Sequence, residues 1–418
     1  MGNIGIANEY IVFANDSTED VRTFMAMHGD GLKVIDGRGF VAMPGLVNLH
    51  NHAAMTLMRG YADDMPLMPW LEERIWPFEA KMDGTDIYRG AKLGIAEMLL
   101  GGTTTVADMY ANAEHVARAA GEISMRAVLA PVFFDNNIEA FERDFDRLAE
   151  KYCGAEDSLI TLRIGPHAPY TCSPETIRRG LRYCEKYGVG IHTHLSETLD
   201  EVATVRERYG KSPVQYLDDL GIFDYPALAA HCVHVSEDDM EIMARRGVSV
   251  SHNPQSNMKL ASGIAPVVRM QEMGANVGLG TDGPSSNNDL DMWEEMRSAS
   301  FLQKVTVADA TALPAYRVLQ MATSDGARAL GMSGKIGIVE KGARADLILV
   351  NLGAPHFCPG NDLIADLVYC GKASDVDTVI VDGKILVEGG KLRCADLEAI
   401  CHDARQSTEA VKKRIKVN

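Results

Sequence analysis

At 418 residues, 46% hydrophobic and 24% charged, the chain can bury a large core, as one barrel-sized domain with a smaller partner or as about two to three ordinary domains. Its 58 acidic residues outweigh 41 basic ones to give a net charge of −17, and no basic run reverses that balance locally, which argues against a nucleic-acid or anionic-membrane partner. The eight cysteines, at 153, 172, 184, 232, 358, 370, 394 and 401, form no Cys-x-x-Cys pair and read as reduced thiols. No basic-then-apolar leader opens the chain, and no stretch reaches the roughly 18 consecutive apolar residues of a membrane span. The expectation is a cytoplasmic enzyme.

Residues 1–43 hold short strand-like pieces at 4–6, 10–13 and 23–27, separated by polar turns, and residues 40–43 lead into the stretch that follows. From 44 to 335 apolar strands alternate with amphipathic helices. The strands are expected at 45–49, 103–108, 126–133, 159–165, 189–195, 227–232, 248–251 and 276–281. Ser173-Pro174, Ser212-Pro213 and Ser236 start helices that Gly188, Gly221 and Gly247 can end. Eight such units predict a (β/α)8 barrel with its active site at the C-terminal ends of the strands. The rival, a doubly wound open sheet, is disfavoured because no Gly-x-Gly-x-x-Gly follows an early strand.

Strand character returns at 345–350 and 378–387, where Asp382-Gly383 reads as a hairpin turn. The predicted organisation is a composite β-sandwich from residues 1–43 and 336–395, a barrel over 44–335, and an amphipathic C-terminal helix over 396–418.

His50 and His52 stand at i and i+2 at the end of the first barrel strand, on one face, so both imidazoles can grip one divalent ion. Alone the pattern is weak. Polar residues at three further strand ends strengthen it: Ile191-His192-Thr193-His194-Leu195-Ser196-Glu197, His231-Cys232-Val233-His234 and Gly280-Thr281-Asp282-Gly283, with Ser251-His252-Asn253-Pro254 at a fourth. A single strand-end histidine is usually just hydrogen-bonded, whereas coincidence on strands one, five, six and eight is far less so.

These residues resemble the amidohydrolase superfamily of metal-dependent barrel hydrolases, over nearly the whole chain. The strings Met43-Pro44-Gly45-Leu46-Val47-Asn48, Gly165-Pro166-His167-Ala168-Pro169-Tyr170 and Ser251-His252-Asn253-Pro254-Gln255-Ser256-Asn257-Met258-Lys259 are similar to the 5-methylthioadenosine/S-adenosylhomocysteine deaminase group, as is the 54–64 segment. That branch also holds guanine deaminases and triazine hydrolases. The resemblance implies one divalent metal, Zn²⁺ or else Fe²⁺, held by His50, His52, His194 and Asp282. Three neutral imidazoles and a carboxylate suit Zn²⁺ or Fe²⁺ better than Mg²⁺. Strand four offers no lysine of the kind that is carboxylated in two-metal relatives, which favours a one-metal site.

A bound divalent ion brings the pKa of its water to about 7. By resemblance the resulting hydroxide attacks C6 of a purine, Glu197 protonates the adjacent ring nitrogen, His231 and Asp282 handle the proton of the water, and ammonia leaves. His192, on the same side of its strand, is expected to support His194 or pack inside the barrel, and His234 and His252 to be structural or pocket-lining. Substrate choice is expected in a long loop at 53–82, rich in Met, Trp and Phe. Within it Glu79 resembles the residue that accepts hydrogen bonds from ribose hydroxyls; Trp70 is a further substrate-side candidate, and His167 resembles a second contact. Asn51, between the ligands, should point away from them, and the 1–34 region is irregular against the family's opening strands.

The function implied is hydrolytic deamination of S-adenosylhomocysteine, 5-methylthioadenosine or adenosine, at a C–N bond of a cyclic amidine, by a homo-oligomer acting on a small nucleoside. An aminohydrolase or chlorohydrolase of guanine, a pterin or a triazine is the alternative, and a catalytically silent scaffold is a third reading that the intact ligand set disfavours.

Overall fold

The structure, a computed structural model, describes residues 2–155 and 158–416. Among the described residues fifteen strands follow in chain order: β1 (Asn3–Ala7), β2 (Tyr10–Asn15), β3 (Phe40–Pro44), β4 (Leu46–Asn51), β5 (Thr103–Tyr110), β6 (Arg126–Phe133), β7 (Ile160–Pro166), β8 (Gly190–Leu195), β9 (Ala227–His231), β10 (Ser249–His252), β11 (Asn276–Leu279), β12 (Leu347–Asn351), β13 (Val376–Val381), β14 (Lys384–Glu388) and β15 (Lys391–Leu392). Strands β4 to β11 pair in sequence order, all parallel, as the eight-stranded wall of a (β/α)8 barrel. Each is almost wholly buried, as expected of strands covered on both faces, although β5, β8 and β10 carry several polar residues.

The first and last barrel strands meet through single bonds rather than a ladder. Asp282 N donates to His50 O at 2.9 Å, Thr281 N to Asn48 Oδ1 at 3.1 Å, and the Asn48 and Asn51 amides donate to Thr281 Oγ1 at 2.7 and 3.0 Å. Asn51 thus faces away from the histidines beside it, as alternation predicts, and joins this seam. At the opposite end of the barrel Val47, Leu49, Ala107, Val128 and Leu228 close over Ala327, Ala329, Leu330 and Ile336, which belong to or follow the short helix Ser324–Ala329.

The second sheet runs β15-β14-β13-β12-β3, antiparallel throughout, so strands from before and after the barrel share it. The β1–β2 hairpin lies over it through Ile11, which is buried with Ala343, Ala345, Leu347 and Ile380. The Arg126 side chain, at the start of β6, ties barrel to sheet: Nε donates to Asp346 Oδ2 at 2.6 Å, and Nη2 to Asp346 Oδ1 at 3.0 Å and Asp382 Oδ1 at 2.9 Å.

The strand expected at 23–27 is instead part of a helix, Thr18–His28. Ser17 Oγ accepts from Asp20 N at 3.1 Å, Glu19 and Asp20 sit in the first turn, and Val21, Phe24, Met25 and His28 fall at helical spacing. The cap and the 3.6-residue period outweigh the strand-like Thr-Phe-Met run.

The segment at 53–82, expected as a loop, is largely helical as well. It contains a 3-10 stretch (Ala53–Met58), a short helix (Leu67–Trp70), a π-helical turn (Leu71–Ile75) and a second short helix (Trp76–Glu79). Pro77 has no N–H to give residue 73, and Trp76 N donates five residues back to Leu71 O, so the ladder widens there. The widened turn brings Trp70, Leu71, Trp76 and Glu79 onto one cavity wall.

The C-terminal helix Leu397–Lys416 is anchored on the barrel by Thr408 Oγ1 donating to Leu57 O at 3.1 Å and Arg414 Nη1 to Asp86 Oδ2 at 2.7 Å. Among the described residues no helix is long and apolar enough to cross a membrane.

Candidate metal centre and active site

His50 and His52 leave β4 on the same side and meet His194 from β8 and Asp282 from just beyond β11. Asp282 Oδ1 lies 3.2 Å from Nε2 of both His50 and His52, and His194 Nε2 is 3.4 Å from His52 Nε2. Each imidazole is held from behind. His52 Nδ1–H donates to Met109 O, and His194 Nδ1–H to His167 O at 2.8 Å. His50 Nδ1 contacts His192 Nε2 at 2.9 Å. These rear bonds turn all three Nε2 atoms inward, the arrangement that second-layer partners impose on metal-binding histidines.

His50 Nε2 is fully buried and has no well-aligned hydrogen-bond partner, an arrangement that costs free energy unless a cation takes the lone pair. Three nitrogens and one carboxylate oxygen fit a tetrahedral divalent ion of the zinc type. Asp282 Oδ2 is occupied by Ser256 Oγ at 2.6 Å and Ser286 Oγ at 2.9 Å, which leaves Oδ1 for the centre. Burial holds His194 and the backing His192 well below the usual histidine range and brings His50 down to about 4, which leaves His50 and His194 neutral and able to coordinate. Although burial also opposes charge on His52, its bond to Asp282 raises it to about 9, while the contacts of Asp282 with His50 and His52 hold that carboxyl far below the usual range against its burial.

His231, at the end of β9, joins His50 and His194 in a second convergent group. Its Nδ1–H donates to Asn257 Oδ1 at 2.8 Å, which leaves Nε2 facing Glu197 Oε2 at 3.8 Å. Glu197 is 8% exposed, and burial raises its pKa, the direction that suits a carboxyl able to donate a proton near neutral pH. Ser196, His231 and Asp282 all have left-handed backbone, at φ 50°, 73° and 61°. Such residues concentrate where a side chain must be aimed against local preference.

Above this cluster opens a cavity of about 190 Å³. His52, His194, Glu197, His231 and Asp282 form its floor, and Trp70, Glu79 and His167 are in its walls, so the sequence-predicted residues share one space, with His50 directly beneath. Glu79 is half-buried, accepts from Tyr110 Oη at 2.7 Å through Oε1, and is pushed up in pKa by desolvation. Trp70 spends its indole N–H on Ala62 O at 2.9 Å and so presents only ring surface to the cavity. His167 stacks on Phe134 with centroids 4.4 Å apart, and its Nδ1 meets Thr171 Oγ1 at 2.9 Å. Met55, Met82, Met109, Leu67 and Trp76 supply an apolar remainder.

His192 backs His50 rather than its strand neighbour His194, because the barrel interior brings β8 across to β4. His234 Nε2 contacts Ser262 O at 2.7 Å, and His252 is buried with neither nitrogen bonded. Neither lines the cavity.

Sequence reasoning passed over Asp108, whose Oδ2 accepts from Ala53 N at 2.6 Å and whose pKa burial raises to about 6, and Tyr110, the partner of Glu79. Both end strand β5, and the strand-end search applied elsewhere would have reached them. Ser256, Asn257 and Ser286 carry no such signal.

Residues 41–386 match the amidohydrolase family. The chain belongs to that family. Among its relatives, the 5-methylthioadenosine/S-adenosylhomocysteine deaminase of Desulfitobacterium hafniense is 49% identical over 413 residues, covering 98% of this chain and 94% of that protein. The protein of the same name from Desulforamulus reducens is 48% identical over 381 residues, covering 90% and 87%. Of solved amidohydrolase folds, a zinc-bound adenosine deaminase from Xanthomonas campestris superposes with a TM-score of 0.92 at 36% identity, covering 99% of this chain and 94% of that one. A zinc complex of atrazine chlorohydrolase from Arthrobacter aurescens superposes at 0.88 with 25% identity, covering 97% and 95%.

Proposed function

We propose that this amidohydrolase is a zinc-dependent hydrolytic deaminase of adenosine-type nucleosides, converting the 6-amino group of 5-methylthioadenosine, S-adenosylhomocysteine or adenosine to a 6-oxo group with release of ammonia. The observation that carries the reading is the stacking of Glu197 and His231 over the inward-facing His50, His52, His194 and Asp282 set, under a cavity whose wall holds Glu79. The names of the relatives and the zinc in the solved neighbours point the same way.

In this reading His50, His52, His194 and Asp282 hold the cation. When bound, the ion supplies Lewis acidity that makes a water acidic near neutral pH. His231, with Nδ1–H committed to Asn257, offers Nε2 to the proton that the attacking water loses. Glu197 donates its proton to the ring nitrogen beside C6 as the new C–O bond forms, so that no anion builds up on the ring. The C6–N bond then breaks as the amino group takes the proton held by His231, ammonia departs, and the C6 hydroxyl returns a proton to Glu197 to leave the 6-oxo product. Glu79 accepts from the ribose hydroxyls, His167 contacts the substrate, and Trp70 offers an aromatic face.

A triazine or a free purine base has no diol for Glu79, which favours nucleosides over the alternative heterocycles. The acidic net charge supports a small-molecule substrate rather than nucleic acid, and we extend the reading to a cytoplasmic homo-oligomer in which 1–43 with 336–395, 44–335 and 396–418 are the structural units. The test is ammonia release from a panel of adenine nucleosides, guanine, pterins and triazines, with and without added Zn²⁺ or Fe²⁺. Zinc-loaded protein that turns over none of the adenine nucleosides refutes the reading.

A further inference from the structure

Four residues beyond Glu197 lies a carboxylate that the reaction above does not use. Glu201, in the first turn of the helix Leu199–Tyr209, is 4% exposed. Its Oε1 accepts from Ser196 N and its Oε2 from Glu197 N, both at 2.8 Å, so each oxygen is committed to the backbone of the step that carries Glu197. Burial is the largest influence on its ionisation and pushes it up to about 7.

That step is under strain. Ser196 has φ 50°, a left-handed conformation that is unfavourable for a residue with a Cβ. Its carbonyl is gripped from the opposite side, accepting from Val233 N at 3.1 Å and His234 N at 2.9 Å, while Leu195 O accepts from Cys232 N at 2.9 Å. The turn is therefore pinned on one side by Glu201 and on the other by the backbone that follows His231. A carboxylate buried without a lysine or arginine costs free energy that a neutral side chain there would not. Its two-oxygen geometry is what no neutral residue can supply, since an amide offers one acceptor and would turn its NH2 against the second N–H.

We propose that Glu201 is a positioning residue, whose two-point hold on Ser196 N and Glu197 N keeps the left-handed turn that aims the Glu197 carboxyl at the substrate ring. The inference rests on the reading of Glu197 as the proton donor in deamination.

The test is a double-mutant cycle in zinc-replete protein, with Glu201→Gln, Glu197→Gln and the pair, assayed on 5-methylthioadenosine. Glu201→Gln should lower kcat by about 10- to 100-fold, the scale of a misplaced reacting group. KM and bound zinc should stay near the wild-type values. In the Glu197→Gln background the same change should cost less than about twofold, because the group it positions is already gone. An equal loss in both backgrounds, or a Glu201→Gln rate within about threefold of wild type, overturns the proposal. Where Glu201→Gln does not fold, Glu201→Asp, which keeps the charge and loses one methylene of reach, takes its place in the cycle. A crystal structure of the same variant reads the inference without any substrate: a Glu197 carboxyl left in place, with φ of residue 196 unchanged, overturns it even if the wild-type enzyme deaminates no nucleoside. Failure of the wild-type reaction alone refutes the deaminase reading instead.

Discussion

Replacing Glu79 with Gln isolates the choice between a nucleoside and a bare heterocycle. Of the two Glu79 oxygens, Oε1 is taken by the Tyr110 hydroxyl at 2.7 Å, so Oε2 is the one left for a ligand. The amide keeps the volume of the side chain and one acceptor for Tyr110, but it turns the cavity-facing atom from a charged acceptor into a donor. A hydrogen bond to a charged group contributes about 1.5–3 kcal/mol, which at about 1.36 kcal/mol per factor of ten becomes a loss of about 13- to 160-fold in kcat/KM. The loss should follow the ribose. Steady-state ammonia release is measured for 5-methylthioadenosine and for its 2′,3′-dideoxy counterpart, on wild-type and Glu79→Gln protein loaded with the same zinc. The dideoxy compound should be a poor substrate of the wild type and should lose little more in the variant. If the variant loses as much on the dideoxy compound as on the diol, Glu79 does not read the ribose and the reasoning fails.

Three other measurements bear on the centre and the fold. Glu197→Gln should keep its zinc and lose on the order of a hundredfold or more in kcat, and a near-normal rate would remove Glu197 from the chemistry. Because the His52–Asp282 pair raises His52 to about 9 in the metal-free chain, that ring carries a proton at pH 7 which must leave when zinc binds. Apparent zinc affinity should therefore rise with pH, by up to about tenfold per unit, and level off near pH 9; calorimetry in buffers of different ionisation enthalpy should show proton release, and proton uptake would contradict it. Arg126→Met takes its cation from the buried Asp346, while the half-buried Asp382 keeps Arg344, at a cost of about 3–5 kcal/mol, read by denaturant unfolding with zinc held constant; a change below about 1 kcal/mol would mean that this contact does not join barrel to sheet.

The barrel was legible because short runs with apolar and β-branched residues recur between capped amphipathic helices. Eight such runs, spaced by capped helices, admit few architectures. The same logic located the strand ends and, with them, His50, His194, His231 and Asp282. Legibility failed where a short-range signal was outweighed by a cap or by a missing donor: Ser17 turned 18–28 into helix, and Pro77 bent the 67–79 segment into a π turn. It failed again one layer out from the centre. Glu201, Asn257 and Ser256 act through contacts between elements, and His192 faces His50 across the barrel from 142 residues away, a relation that no spacing within a strand encodes.

The join between β4 and β11 has a consequence for how this protein is made. Its proposed cation set takes two members from the end of the first barrel strand and one from just past the last, and between them the chain must lay down seven further strands. A nascent or truncated chain that lacks the final strand has His50 and His52 but no Asp282, and no partner for the Asn48 and Asn51 amides. On the proposed ligand assignment, tight zinc uptake is a late event in synthesis. The ion acts as a clasp that can be fastened only after the ring has closed, so a partly assembled barrel is left without both the metal and the chemistry that comes with it.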